Sequence, residues 1–527
     1  MTKRIISFLL MVLMLLSFTG CVDGNESGND ATASNESGVS IDTNQYINED
    51  GTITVPDLIN MPLEQARAIL KQLGLKSKFT EEYDKTDKFE VGCVMKTDYK
   101  AGEKVKKGTQ IFLTIRKEGT PIDPDEPYTD PLVAAREELK QGANSDYKPL
   151  NYETMKAMWI SQFDLTNVFR DGSLRSEESF RKIFASLCER LVTDGYNTVI
   201  VQVRPYGDSF YPSAYYPWSE YVMGSYGLYA SYDPLKVMIE EAHKVDLSFQ
   251  AWINPMRAYS KDKTFELINV SYKTRQWYDN PEKYPNYIYK HKTNYYLNVA
   301  YEEVRQLIID GATEIVRYYD VDGVHMDDYF YPSGIPNDFD DVLFKESGCF
   351  TRVQFRKENI SKLVKGLYSA IKKENKNVLF GISPAGNINN VRTSCCLDID
   401  LILSKKGYVD YIMPQIYWGF EHDSQPYKKC LQNWQNLVKE PSIKFMVGIT
   451  ASNIESPTGE FIDNKDVFKR YLLHAQSTDK FDGICVFSIG TLYGTVTANP
   501  STNEGIEEEM KNFLPALKII PNKKISY

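Results

Sequence analysis

The sequence predicts an α/β chain whose main domain is a (β/α)8 barrel, preceded by a small α+β unit. Three observations carry this. Eight short apolar runs recur between residues 156 and 490. Amphipathic helical stretches separate them, the alternation of parallel strands with their return helices. No glycine-rich nucleotide fingerprint follows any run, which counts against the rival arrangement, a doubly wound open sheet for a dinucleotide.

The chain opens with "MTKRIISFLLMVLMLLSFTGC", in which Lys3 and Arg4 precede an apolar run and small residues precede Cys21. That run has the length of a signal-peptide core and gives way at once to polar sequence, so it reads as a secretion signal rather than a spanning helix. Thr19-Gly20-Cys21 resembles a bacterial lipoprotein box, with Phe18 where leucine is usual. The resemblance implies cleavage before Cys21, lipidation of that cysteine and an extracytoplasmic protein held to the cell membrane by its lipid alone. Residues 21–50 are rich in Asn, Ser, Gly, Asp and Glu and predict a flexible tether.

Residues 51–117 predict one compact unit. A short strand leads into a helix with Ala66, Ile69, Leu70 and Leu73 on one face, and Gly74 closes it. Ile111, Leu113 and Ile115 then alternate as an edge-type strand. Val55-Pro56-Asp57-Leu58, Leu73-Gly74-Leu75, and Ala101-Gly102 followed by Val105, Gly108 and Leu113 resemble a PASTA domain. That resemblance implies association with the bacterial cell wall and peptidoglycan; a plain spacer is the alternative. The Pro-rich stretch Glu118–Pro131 predicts a linker, taken as 118–150.

The barrel strands are predicted at 156–161, 197–205, 248–255, 322–328, 378–384, 410–418, 444–452 and 482–490, with helices such as 179–194, 301–319 and 466–477 between them. In this fold chemistry gathers at the C-terminal strand ends. Side chains alternate along a strand, so residues two apart share a side. Gln202 and Arg204 share one in the second strand, Trp252 and Asn254 (with Gln250) in the third, His325 and Asp327 in the fourth, Gln415 and Tyr417 in the sixth. Burying so many polar groups against the helices would be costly, so they are expected to line one aromatic and polar pocket at the barrel mouth.

Asp327 is the inward-facing acid of this set. Asp328 points the other way unless the chain turns there. Asp322, before Gly323, and Asp482, before Gly483, read as turn residues at the opposite, structural face. A glycosidase needs two carboxyl groups across one bond, or one if an N-acetyl group of the substrate attacks. Asp164, Asp208, Glu421 and Asp423 are all open as the second. "DGVHMDD" is loosely similar to the acid-bearing strand of chitinase-type barrels, but Tyr329 stands where their glutamate would fall.

Bulk composition narrows the classes. The 527 residues are 42% hydrophobic with a net charge of −10, and no Lys/Arg cluster is long enough for a nucleic-acid binder. Aromatic content of 13% suits a sugar-stacking surface or an aromatic-rich core equally. The five histidines lack metal-ligand spacing and the eight cysteines lack zinc-finger spacing, so no metal or cofactor is expected, and one disulfide at most.

"KAMWIS", "GYNTVIVQVRPYGDSFYPS", "FQAWINPMR", "YLNVAYEEVRQ", "VDGVHMDDYFYP", "FGISPAGN" and "YIMPQIYW" resemble, in order, glycosyl hydrolase-like family 10. The resemblance implies a (β/α)8 glycan hydrolase of bacteria, with peptidoglycan glycan strands as substrate. It places Asp327 and Asp328 in the family's aspartate motif, and Arg204, Asn254 and Tyr417 in its other motifs. Two alternatives stay open: a non-catalytic cell-wall glycan-binding protein, and a hydrolase of another surface polysaccharide.

Overall fold

The computed structural model describes residues 42–84, 88–117, 120–139, 144–327, 330–494 and 504–527. Cys21, Asp328 and the signal-like segment lie outside them. The described residues form two compact units, one of 42–79 with Lys96–Leu113, the other of those in Thr80–Met95 and Thr114–Tyr527.

In the N-terminal region, helix Leu63–Gln72 buries Ala66, Ile69 and Leu70, and Gly74 ends it at φ +70°. Strand Gln110–Lys117 buries Ile111, Leu113 and Ile115, as the alternation predicts. It is the centre of a three-stranded sheet, between Lys76–Tyr83 and Val94–Thr97, and not an edge. A flanking strand on each side pairs both of its edges, which alternation of side chains does not reveal. Residues 43–48, expected in the tether, already form a 3-10 turn and an Ile47–Ile53 bridge.

The larger unit is a closed barrel of eight parallel strands. They are β1 (Met155–Ile160), β2 (Thr198–Arg204), β3 (Ser248–Ile253), β4 (Gly323–Met326), β5 (Leu379–Ile382), β6 (Tyr411–Ile412), β7 (Lys444–Thr450) and β8 (Gly483–Phe487), in sequence order with β8 closing onto β1. All eight predicted strands are present. β6 is the shortest because Pro414 offers no N–H to the ladder. Gln415 resumes the pairing through single bridges to Ala385 and Gly448.

The helices form for local reasons. Helix α1 (Glu177–Asp194) is capped by Ser176, stopped by left-handed Gly195, and buries Phe180, Phe184, Leu187, Cys188 and Leu191 as a stripe. Helix α2 (Glu302–Tyr318) buries Val304, Leu307, Ile308 and Ile315 in the same way. Each such side chain adds about 1.5–3 kcal/mol of burial. The C-terminal helix α3 (Glu504–Ile519) is fastened to β1 by Lys156. Its buried ammonium donates to the carbonyls of Leu517 and Ile520, and burial pushes it down to about 8.

The interior holds Met155, Ala157, Trp159, Ile200, Trp252, Tyr411, Met413, Met446 and Cys485. Large rings cross it because glycines face them. A Cβ on Gly381 would meet the Tyr411 ring at 2.0 Å, and one on Gly448 the Trp159 ring at 2.6 Å.

The bottom is stapled four times by one device. The residue before each even strand accepts a backbone N–H from the strand before it. Asn197 accepts from Lys156, Asp322 from Phe249, Asp410 from Phe380 and Asp482 from Phe445, at 2.6–2.8 Å. Asp322 goes furthest: it also takes Leu150 N, Tyr147 Oη at 2.6 Å and His243 Nε2 at 2.8 Å. Burial by itself would lower the His243 imidazole, but the hydrogen bond and charge of Asp322, with the charges of Asp320 and Asp246, together raise it.

The described parts of the stretch predicted as a linker, 120–139 and 144–150, form a strap on this unit. Thr120–Pro121 pairs with Leu228–Tyr229, Trp218 Nε1 donates to Asp130 at 2.6 Å, and Arg136 pairs with Glu314 at 2.9 Å. Proline content signals an extended path; it carries no information about whether that path is docked.

Asp322→Ala leaves two backbone N–H groups, a tyrosine hydroxyl and a histidine without their acceptor. We expect a loss of about 3–5 kcal/mol in denaturant unfolding. A midpoint equal to wild type would contradict the staple.

Candidate functional site

The mouth is organised around Asp327, one residue beyond β4 and only 8% exposed. Its Oδ1 accepts from Gln415 Nε2 at 2.8 Å and its Oδ2 from Asn254 Nδ2 at 3.3 Å. A carboxylate only accepts, so it dictates the amides behind it. Asn254 must turn its Nδ2 to Asp327 and its Oδ1 back to Gln202, whose Nε2 donates at 2.6 Å. The remaining Gln202 oxygen accepts Gln162 N at 2.8 Å. The result is a one-directional relay from the β1 loop, through β2 and β3, to Asp327 on β4. Such chains polarise each bond in turn. On the other side Gln415 Nε2 also reaches the carbonyl and hydroxyl of Ser383, and Ser383 Oγ donates to Met413 O at 2.8 Å.

Below this layer lies a sealed floor. Trp159 Nε1 donates to His325 Nε2 at 3.3 Å, and His325 Nδ1 lies 2.8 Å from Tyr411 Oη. Indole can only donate, so Nε2 is the acceptor, the proton sits on Nδ1, and Tyr411 receives it. Burial pushes the imidazole down to about 4, against a weaker opposing pull from Asp327. His325 is therefore neutral.

The predicted residues divide accordingly. Gln202, Asn254, Asp327 and Gln415 come together through hydrogen bonds. His325 does not line the pocket: it is fully buried with both nitrogens occupied. It shares its side with Asp327 but sits two residues deeper along the strand. Trp252 is likewise in the floor, 4% exposed and edge-on to His325, so no ring face is offered for stacking. Tyr417 is half-buried beyond the end of β6, and its carbonyl accepts from Asn453.

Arg204 points away from the mouth altogether. The β2–β3 register slips so that Gln202 faces Trp252 and Arg204 faces Ile253, a bulge that turns Arg204 onto the helix side. Its guanidinium lies 4.3 Å over Tyr216, 1% exposed, against α2, where a Cβ on Gly311 would sit 2.5 Å from it.

The second-carboxylate candidates are all engaged elsewhere or exposed. Asp164 binds Ser161, Ser488 and Gly490, tying the β1 loop to the β8 loop. Asp208 is fully buried, bonded to Tyr226 and Tyr206, and burial pushes it up to about 6. Glu421 and Asp423 are solvent-exposed. Trp159, Ser383 and Tyr411 are not among the residues predicted from the sequence, although counting two residues at a time along β1, β5 and β6 finds each of them. Among the described residues no group of three His, Cys, Asp or Glu is placed to hold a metal ion, and the seven described cysteines are free.

Residues 154–465 match the glycosyl hydrolase-like 10 model, more than half of the chain. The chain belongs to the glycosyl hydrolase-like 10 family. Residues 53–117 match the PASTA domain model. β8 lies beyond the family match yet closes the barrel. Curated relatives include glycosyl hydrolase YngK of Bacillus subtilis, 33% identical over 57% of this chain and 61% of that protein. Glycosyl hydrolase DigH of Escherichia coli is 31% identical over 50% of this chain and 64% of that protein. The chain thus spans less than two thirds of the length of either relative. Among solved structures, an endo-1,4-beta-mannanase from Rhizomucor miehei aligns over 72% of this chain and 99% of its own, at 11% identity and a TM-score of 0.42. Family membership and the barrel make this a glycoside hydrolase-like protein.

The floor histidine gives a pH test. Between pH 6.5 and 4 the unfolded chain holds the His325 proton and the folded chain does not. Stability from this group is full above pH 6.5 and falls as the pH drops, by about 3 kcal/mol at pH 4. In His325→Gln the unfolding free energy should fall less steeply over that window. Parallel slopes for the two proteins would contradict the assignment.

Proposed function

We propose that this protein is a glycoside hydrolase of bacterial cell-wall glycan, acting on peptidoglycan glycan strands at the outer side of the cell membrane. One observation carries the proposal: an acid at the centre of the barrel mouth, held on both oxygens by amide N–H groups. Both oxygens act as acceptors, so Asp327 is set to receive a proton or to face the positive charge that develops at the anomeric carbon. The proton given to the leaving oxygen then comes from another acid, and Asp328, adjacent in the chain, is the first to test. Gln202 orients Asn254, and Asn254 and Gln415 orient Asp327 as positioning residues. An N-acetyl group on the substrate would remove the need for a second carboxylate as nucleophile.

The wall substrate is supported by the PASTA domain match and by the lipoprotein-like N-terminus. It is also in keeping with relatives named glycosyl hydrolases. A non-catalytic glycan-binding role is the second reading. It is favoured by the engagement or exposure of Asp164, Asp208, Glu421 and Asp423.

Digestion of peptide-stripped glycan strands decides between them. Wild type should release new reducing ends, and Asp327→Asn should lower kcat/KM about 10²–10⁴-fold while the protein stays folded. Retention of the strands without cleavage by wild type would favour the binding protein. Equal cleavage by Asp327→Asn would remove Asp327 from the chemistry.

A further inference from the structure

Phe163 stands out on the mouth side of the barrel. It is the second residue of helix Gln162–Phe169, directly after β1 and the Ser161 cap. That helix buries Gln162, Leu165, Val168 and Phe169, and leaves the Phe163 ring 65% exposed. A single exposed ring needs no explanation. This one continues into others. Its centroid is 6.0 Å from that of Tyr221, edge to face at 86°. Tyr221 runs parallel to Tyr206 at 6.4 Å and 3°. The Arg257 guanidinium lies 5.7 Å over Tyr206 and closes the row. Tyr206 and Tyr221 are both half-buried.

The row crosses the loops that follow β1, β2 and β3, three neighbouring strands, so it follows one arc of the mouth. Its foot is wired to the centre. Gln162, next to Phe163, is the first donor of the relay that ends on Asp327. Tyr221 is braced from below by Phe210, a fully buried core ring 6.3 Å away. Buried Asp208 accepts Tyr206 N, which holds the same loop. The row is therefore a braced ridge, and Phe163 stands one residue along the chain from the start of the relay that ends on Asp327.

We propose that Phe163, Tyr221 and Tyr206 form an outlying subsite on which a pyranose of the glycan strand stacks as the strand leaves the mouth. The C–H face of a pyranose is apolar and its hydroxyls lie at the rim. The exposed Phe163 ring, flanked by Tyr221, covers the first while water keeps the second. The subsite rests on the glycan-hydrolase reading and adds a length dependence to it: strands long enough to reach the ridge bind better than short ones.

The test compares wild type, Phe163→Ala and Phe163→Trp on peptide-stripped peptidoglycan fragments of graded length, with KM, kcat and binding measured for each. In Phe163→Ala, KM and Kd for long strands should rise about five- to tenfold. The kcat, the melting temperature and the values for the shortest fragments should match wild type, and Phe163→Trp should restore the long-strand values. Equal long-strand values in Phe163→Ala and wild type would overturn the subsite while leaving the hydrolase reading intact. A loss equal at all lengths would overturn its outlying position. Failure of wild type itself to bind or cleave any fragment would overturn the hydrolase reading, and the subsite with it.

Discussion

The mouth of this barrel rests on one buried hydrogen bond, from the Trp159 indole to His325 Nε2. Because indole has no lone pair to offer, the bond fixes the proton on Nδ1 and directs it at Tyr411. Three strands, β1, β4 and β6, are thereby held across the interior by side chains rather than by the ladder. Gly381 and Gly448 leave the volume that the Tyr411 and Trp159 rings need to reach the middle. On top of this floor the β4 chain presents Asp327 two residues later. The acid is then oriented by amides from β3 and the end of β6.

Structural and chemical polar groups are segregated between the two faces. At the bottom, Asn197, Asp322, Asp410 and Asp482 accept backbone N–H groups of the preceding strands, which uses polar side chains to close the barrel. At the top, amide side chains converge on an acid. Both faces contain an Asp of the same short stretch, Asp322 and Asp327, and their partners separate their roles. Asp322 binds two main-chain N–H groups, a tyrosine and a histidine, whereas Asp327 accepts from the carboxamides of Asn254 and Gln415.

Much of this was legible in the sequence. Strand count, strand order and the bottom-face role of Asp322 followed from periodicity and turn chemistry, and the relay residues Gln202, Asn254, Asp327 and Gln415 from two-residue alternation. Alternation failed at Arg204, because a single-residue bulge reverses the parity and leaves no mark in the composition of the strand. It also could not rank depth. His325 and Trp252 share a side with Asp327 and Asn254 but lie one layer lower, packed in the barrel interior. The strap at 120–139 and 144–147 was unreadable for another reason: its anchors, Trp218, Asn269, Glu314 and Asp322, are distant in sequence.

The central claim is that the relay-held acid at the mouth faces the bond to be cut in a cell-wall glycan. A crystal structure of the Asp327→Asn protein soaked with a peptide-stripped glycan oligomer tests it most directly. The account predicts a sugar ring in the mouth, with its glycosidic oxygen or anomeric carbon close to the side chain at position 327. An oligomer bound only away from the mouth, with Asn254 and Gln415 untouched by any nearby sugar, would contradict it.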